Sequence, residues 1–575
     1  MNSVDQLETE LEIEPERYEF WESDCDFDLA RRDFLRVLGG GLLVLCLGQS
    51  DEAQESGRQG RRGGGGQRRG FGQPLPRDID AWVHIGEDGA VTASTGKVEI
   101  GQNARTSLTM AVADELKLTV DVVKLVMGDT DHVPYDMGTF GSRTSPTMVP
   151  QMRRAAAAAR GLLLVLAAQK WGIDVGSLET SGGKVTHPST GKSAGFGELT
   201  KGRRLVETIS DDTKTMPPAE WKVAGKSVPK INALSFVTGR HKYPSDIDRP
   251  GMLRGKVLRA PVYGARLVSL DSTHAAALPG VKVIRDGEFV GVVAPTEHEA
   301  AKALAALRPT WKTPDGPTPS DREVPRILKG HSQEGNRGFG GRSTSENGSV
   351  KDELAAAHVK VEASYTVAYI AHAPLEPRAA VAEWDGDHVT VWTGTQRPFG
   401  ARPEVAQAFH IPESKVRVLV PDTGSGYGGK HTNEAAVEAA RLAKGAGKPV
   451  KVVWTREEEF TWAYFRPAGL IEVAAGVDKD GKLTTWEFHN YNSGGAGLRT
   501  PYRVASPKEV FHGASSPLRQ GSYRALAATA NHFARESFMD ELAHAAGLDP
   551  LEFRLRNLDD PRLRAVFEQA AAKFG

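Results

Sequence analysis

The chain has 575 residues, 39% of them hydrophobic, enough for several domains with substantial cores. Its 72 basic and 73 acidic side chains leave a net charge of −1, so nothing global favours a nucleic-acid partner. Two cysteines, Cys25 and Cys46, exclude a disulfide framework and an iron–sulfur cluster held by this chain alone.

Residues 1–30 are acidic and polar, without periodicity. Ala30-Arg-Arg-Asp-Phe-Leu-Arg36 then precedes an apolar run at 37–47. The run is about half of the ~20 residues that span a bilayer, and suits the apolar part of an export signal. Paired arginines followed by x-Phe-Leu are similar to a twin-arginine signal. Residues 1–50 are therefore expected to be a signal region that sends the folded chain to the periplasm. A short buried helix after a chance arginine pair is the other reading. The Gly/Arg-rich stretch 51–78 reads as a solvated linker.

From Ala81 the pattern becomes that of a folded protein. Residues 81–94 predict a hairpin turning at Glu87-Asp88-Gly89. Gly96-Lys-Val-Glu-Ile-Gly-Gln-Asn-Ala-Arg-Thr106 leads to a helix near 107–117 and a strand near 120–127. Gly138-Thr-Phe-Gly-Ser-Arg-Thr-Ser145 carries small, hydroxyl-bearing residues ahead of an alanine-rich helix at 151–171, an arrangement that can cradle an anion. Arg153, Arg154 and Arg160 argue against that helix crossing a membrane. Residues 175–230 look polar and strand-poor. Residues 231–315 predict a small α/β unit, with strands near 252–259, 280–284 and 290–294 and a helix at 297–307. The Pro/Gly/Ser-rich stretch 316–355 reads as a loop.

The last unit, 356–575, contains Tyr369-Ile-Ala-His-Ala-Pro-Leu-Glu-Pro-Arg378, then Thr395-Gln-Arg-Pro-Phe399. A strand at 415–420 runs into Pro421-Asp-Thr-Gly-Ser-Gly-Tyr-Gly-Gly-Lys430, and a helix follows from 433. Strand, glycine-rich turn and helix aim bare N–H groups at an anion, and missing side chains let a ligand approach the main chain. Gly424, Gly429 and Lys430 also have the spacing of a P-loop, but His431 stands where that motif needs Ser or Thr. A ligand-free turn fits as well. His372 and Glu376 have the separation of a zinc pair, yet Pro374 breaks the helix that would align them, so they read as structural. Helices are expected at 530–546, 550–557 and 561–573.

Taken together, these stretches resemble the molybdopterin-binding large subunit of the xanthine dehydrogenase and aldehyde oxidase family. The resemblance is to the branch of isoquinoline oxidoreductase and nicotinate dehydrogenase β-subunits, and covers roughly residues 80–575. It implies a mixed α/β, multi-domain fold, with 79–230 as the first part of the molybdopterin-binding domain, 231–315 as a hammerhead-like domain, and 356–575 as the second part. Gly426-Tyr-Gly-Gly429 matches the family's glycine-aromatic-glycine loop against the metal centre. Tyr427 stands where phenylalanine is usual. Gln396 matches the glutamine that faces the metal, and Arg524 the arginine near the substrate pocket. Gly101 and Gln102 resemble the Gly-Gln-Gly cofactor loop, with Asn103 replacing its last glycine. Ser142 and Thr144 match the pterin-binding hydroxyls.

What the resemblance implies is oxidative hydroxylation of an N-heterocycle or aldehyde at an electrophilic carbon, with oxygen from water. The implied cofactor is molybdenum-molybdopterin in its cytosine dinucleotide form. A small subunit carrying [2Fe–2S] clusters would pass electrons to a downstream acceptor. The family's general base is the glutamate of a Gly-x-Gly-Glu motif, and none follows Arg524. The chain is accordingly expected to be an incomplete large subunit, with a second polypeptide completing the site. Two alternatives stay open at this point: a catalytically incomplete cofactor-binding or assembly component, and a P-loop-like nucleotide-binding protein.

Overall fold

The computed structural model describes residues 41–46, 80–209, 213–316, 319–334 and 350–574. The arginine pair, Cys25 and the Gly/Arg-rich linker lie outside them.

The first layer is a five-stranded sheet. It contains β1 (Gly41–Cys46), β2 (Asp80–Gly86), β3 (Val91–Thr95), β4 (Val123–Met127) and β5 (Arg204–Thr208), in the order β4-β3-β2-β1-β5. The hairpin expected at 81–94 is β2 and β3, paired Val83↔Ala93. Two helices cover the sheet, α1 (Ala104–Leu116) and α2 (Val149–Trp171). Leu108, Val112 and Leu116 meet Met152, Ala156 and Leu163 in one core with Val83, Ile85 and Val91. The arginines of α2 are used inside the protein. Arg153 is buried on Glu115 at 3.0 Å, and Arg160 donates to the Glu115 carbonyl at 2.7 Å. Among the described residues no helix is long and apolar enough to cross a membrane.

Residues 41–46 of the apolar run belong to this layer. β1 pairs antiparallel with β2 (Leu42↔Ile85) and parallel with β5 (Leu42↔Leu205), and Leu42 is fully buried. Gly-Leu-Leu-Val-Leu-Cys has no polar residue. A short apolar run carries no period that separates this from a signal segment or a buried helix.

The second sheet has seven strands. Three come from the unit expected at 231–315: β6 (Leu253–Val257), β7 (Lys282–Asp286) and β8 (Phe289–Ala294), with α3 (Glu297–Ala306). Four come from the last unit: β10 (Ala379–Asp385), β11 (His388–Thr393), β12 (Val416–Leu419) and β13 (Val450–Val453), with α4 (Pro398–Phe409) and α5 (Glu434–Ala446). The order is β7-β8-β6-β13-β10-β11-β12. β6 pairs parallel to β13, so the small unit shares a sheet with residues far along the chain. Its own core, with Ala275, Val290 and Val292, lies on one side, while Val257, Ile284 and Val293 join the large core around α5.

The third layer pairs β9 (Val359–Val367), β14 (Gly469–Val477), β15 (Leu483–Tyr491) and β16 (Ser506–Ala514) in the order β16-β15-β14-β9, with Ser332–Glu334 at the β16 edge. α6 (Ala528–Ala545) covers it, burying Phe538, Met539 and Leu542 against Trp486 and Phe488. α7 (Pro550–Arg556) and α8 (Pro561–Phe574) follow.

Two polar stretches are more ordered than expected. Residues 175–230 contain three short strands, Glu179–Ser181, Lys184–His187 and Lys192–Gly195, besides β5. Within 316–355 there are helices at Val324–Gly330 and Val350–Ala356. Strands of three or four residues carry too few alternations to announce themselves in a sequence.

Candidate active site

Three loops meet at Gln396, which follows β11 and precedes α4. Its backbone N–H donates to the Lys430 carbonyl at 2.8 Å, and its own carbonyl accepts from Thr139 N–H at 2.8 Å. Its side-chain Oε1 accepts from Gly428 N–H at 3.0 Å and Lys430 N–H at 3.4 Å. Its Nε2 donates to the Thr139 carbonyl at 3.0 Å. Two donors on one side and a carbonyl on the other fix which end of the amide is oxygen. One Nε2 hydrogen is left without a partner among the described residues.

The glycines of 424–429 are required by neighbours within the protein. A Cβ on Gly426 would stand 2.6 Å from Gln396 Oε1, one on Gly428 2.9 Å from the Ser522 carbonyl, and one on Gly429 2.6 Å from the His372 ring. On Gly424 it would meet Glu376 Cβ at 2.6 Å. The space freed by the missing side chains is therefore filled largely by the other loops. The ligand-facing capacity lies in the main chain. Among the described residues, the N–H groups of Gly426 and Tyr427 have no acceptor in the protein.

Lys430 settles the P-loop alternative. A P-loop lysine must reach out to phosphates, whereas Lys430 is 1% exposed and donates to the Glu376 carbonyl at 2.8 Å. Burial draws its ammonium down to about 8. His372 and Glu376 are structural, as read from the sequence. His372 Nε2 lies 2.6 Å from the Ser522 carbonyl, and Glu376 accepts from Ser245 and Gly424 N–H at 2.9 and 2.8 Å. Burial, with Arg397 next, lowers His431 to about 3, so its imidazole is neutral at pH 7 beside Phe140, 5.2 Å away.

Arg524 comes to the same place by backbone contact. Its N–H donates to the Tyr427 carbonyl at 2.8 Å, while its guanidinium is exposed and has no carboxylate partner among the described residues. The neighbouring acids are engaged elsewhere: Glu536 holds Arg535, Arg554 and Tyr502, and Glu541 holds Tyr365. Ser142 lies exposed at φ 55° and is not a helix cap. Thr144 opens a π-turn (Thr144–Met148) that runs into α2, with no acidic residue in its first turn and no side-chain cap. Thr147 N–H already donates to the Arg143 carbonyl at 3.0 Å and Pro146 has none, so the N–H groups of Thr144 and Ser145 are the ones open to an anion.

Gly101 and Gln102 behave differently from the expectation. Gln102 accepts from Ile100 N–H at 2.7 Å and donates to the Val98 carbonyl at 3.0 Å. Glu99 takes the N–H groups of Gly101, Asn103 and Arg105 at 2.9–3.0 Å. The amides that the motif would present are thus occupied by the loop itself, and the start of α1 already holds a carboxylate. The loop adjoins the glycine stretch, where Thr423 N–H donates to the Glu99 carbonyl at 2.8 Å and Arg105 pairs with Asp422 at 2.5 Å.

Beneath the cradle lie acids that sequence reasoning missed, since nothing in their spacing announces them. Glu404 on α4 accepts from Asn433 N–H and Nδ2, both at 2.9 Å. Burial, with Glu434 nearby, lifts its carboxyl from 4.5 to about 7. The fold therefore prefers Glu404 protonated, and its ionisation costs stability progressively between about pH 4.5 and 7, with a constant loss above. Glu404→Gln is expected to match wild type in melting temperature at pH 5 and to exceed it at pH 8. Asn433 can flip to keep both bonds, since its Oδ1 is without a partner. An identical pH dependence for both proteins in thermal melts would sink this assignment.

Two regions match models of the molybdopterin cofactor-binding domain, residues 51–230 and 331–517, one on each side of the shared sheet segment. The nicotinate dehydrogenase of Pseudomonas putida contains a polypeptide that is 32% identical over 86% of this chain and 44% of its own length. The beta subunit of isoquinoline 1-oxidoreductase of Brevundimonas diminuta is 28% identical over 86% of this chain and 72% of its own. Quinoline 2-oxidoreductase from Pseudomonas putida 86 superposes with a TM-score of 0.51 at 26% identity, covering 59% of this chain and half of that one. The aldehyde oxidoreductase from Desulfovibrio gigas shares the fold, with a TM-score of 0.52 at 19% identity, covering 63% of this chain and 48% of that one.

Proposed function

The chain belongs to the molybdopterin-binding large subunits of the xanthine dehydrogenase family, and from that membership we propose that it acts in the oxidation of an N-heterocycle or an aldehyde at an electrophilic carbon, with water as the oxygen source. The observation that carries the reading is the locked Gln396 amide, which holds one N–H free beside the open N–H groups of Gly426 and Tyr427. No carboxylate among the described residues answers these donors, the first turn at Thr144 or the Arg524 guanidinium. Such a set fits an anionic, acceptor-rich cofactor. Among the described residues no three His, Cys, Asp or Glu side chains could hold a metal ion, so a metal at this place needs ligands from its own pterin.

The molybdenum cofactor, when bound, supplies two-electron redox chemistry at its metal. The protein's part is positioning. Gly426, Tyr427, Ser142 and Thr144 would hold the polar edge and phosphates, in the cytosine dinucleotide form. Gln396 would orient the metal end through its free N–H, and Arg524 would balance negative charge. The carboxylates near the cradle, Glu376, Glu404, Glu434 and Glu459, are all tied inward. We therefore assign the general base to none of these four carboxylates. A small subunit with [2Fe–2S] clusters takes the electrons onward to an acceptor.

We also propose export by the twin-arginine route, on the Arg31-Arg32 pair and the apolar run. β1 gives that proposal a structural cost, because residues cannot sit in a translocase and in a sheet at once. One preparation tests both ideas: the complex purified from the periplasmic fraction. The expected result is about one molybdenum and one pterin per chain. Metal-free, pterin-free protein would remove the enzymatic reading and leave a non-catalytic component. A cytoplasmic location of the whole pool would remove the export proposal.

A further inference from the structure

We propose that the buried Lys97–Asp136 pair is a positioning device for the Gln396 amide, an inference that rests on the cofactor reading of that amide. Both residues are 1% exposed. Lys97 Nζ lies 2.8 Å from Asp136 Oδ1 and donates to the Gly138 carbonyl at 2.6 Å. Asp136 Oδ1 also accepts from Gly138 N–H at 2.8 Å. The pair thus grips Gly138 by both of its polar backbone atoms. Gly138 has φ 135°, a conformation that side chains rarely adopt, and a Cβ there would press on the Gln396 carbonyl at 2.8 Å.

The next residue transmits that grip. Thr139 donates its N–H to the Gln396 carbonyl, accepts Gln396 Nε2 on its own carbonyl, and takes Val98 N–H on its hydroxyl at 2.9 Å. Gln396 is therefore clamped between Thr139 on one side and the Gly428 and Lys430 amides on the other. The free hydrogen of Nε2 points where this clamp aims it. A buried ion pair is a poor source of stability, since apolar residues of similar size do as well or better. Here Asp136 Oδ2 has no partner among the described residues, so the pair is not even fully satisfied. What apolar residues could not supply is the donor and acceptor that fix Gly138.

The test uses the chain with Lys97→Met and Asp136→Leu together, which removes the grip without leaving a lone buried charge. In the cofactor-free chain, hydrogen exchange at the Thr139 amide is expected to speed up on the order of tenfold or more, while amides of β10 and β13 keep their protection. In the loaded complex, the molybdenum(V) resonance signal should change in the same way as in Gln396→Ala. kcat should fall on the order of tenfold or more. Adding Gln396→Ala to the double variant should then cost less than about twofold more, because both act through one amide. Unchanged Thr139 exchange, or losses that multiply, would overturn the proposal. If Gln396→Ala alone leaves signal and kcat untouched, the cofactor reading fails, and the exchange result still decides whether the pair positions Thr139. If the double variant does not fold, Lys97→Met with Asp136→Asn, which keeps the volume at 136, leaves no buried charge and removes the donor to the Gly138 carbonyl, gives the same exchange readout.

Discussion

Gly428→Ala is expected to leave the chain folded and unable to load molybdenum. Gly428 has φ 91°, and a Cβ on it would stand 2.9 Å from the Ser522 carbonyl and 3.2 Å from Tyr523 Cα. A left-handed backbone costs an L-residue roughly 1–2 kcal/mol, and overpacking roughly 1–3 kcal/mol more. Backbone atoms cannot swing aside like a side-chain tip, so the 426–429 loop and the 522–524 loop must part. Parting them breaks the Arg524 N–H bond to Tyr427 and the Gly428 N–H bond to Gln396 together. Gly447→Ala is the control. Its φ is 68°, but a Cβ there meets nothing within 4 Å. That variant should lose about 1 kcal/mol of stability at the end of α5 and keep its metal. Metal content per chain, with thermal melts, separates the two. Normal molybdenum in Gly428→Ala would show that the loop contact does not matter to the cradle.

Arg378→Met is expected to give the largest loss of stability among these substitutions, about 3–5 kcal/mol. Arg378 is 3% exposed and lies between the rings of Trp454 and Tyr464. It holds Glu459 through Nη1 at 2.6 Å and through its own N–H at 2.5 Å, and it donates to the Gly429 carbonyl. Its Nε lies 3.6 Å from Glu434. Methionine fills the volume but strands Glu459, itself 2% exposed, as a lone buried charge. The unfolding midpoint in denaturant measures the loss, and a shift worth less than about 1 kcal/mol would refute the account.

The same cluster sets an acid limit. Burial pushes Glu434 up, but Arg378 and Arg519 outweigh it and bring the carboxyl down to about 2. A depressed carboxyl stabilises the fold fully above its ordinary value near 4.5, and that stability fades as pH falls towards 2. Without Arg378 the Glu434 carboxyl should sit higher, so stability should vary less between those limits than in wild type.

Much of this was legible because the relevant patterns are local. α2, α5 and α6 fell within a few residues of their expected positions, since an apolar face at helical spacing is written in consecutive residues. The 424–430 stretch, Gln396 and Arg524 could be singled out by type and order, and the structure brings their loops together. Gln102 was misjudged because the same amide can serve a ligand or its own loop, and only the position of Ile100 and Val98 decides. The apolar run at 37–47 was ambiguous for a related reason: eleven apolar residues fit several environments, and the pairing of residues 41–46 with β2 and β5 is a property of the sheet.

By itself, then, the sequence determined the family, the mixed α/β character and the loops that carry the candidate site residues. Only the tertiary structure decided that Lys430 turns inward to Glu376, that the missing glycine side chains make room for Gln396, His372 and the 522–524 loop, and that Lys97 and Asp136 stand behind Thr139. The physical reason is range. Helical faces and glycine turns depend on neighbours a few residues away, whereas the aim of the Gln396 amide depends on atoms contributed from positions 98, 139, 428 and 430. Such a meeting leaves no spacing in the chain to read.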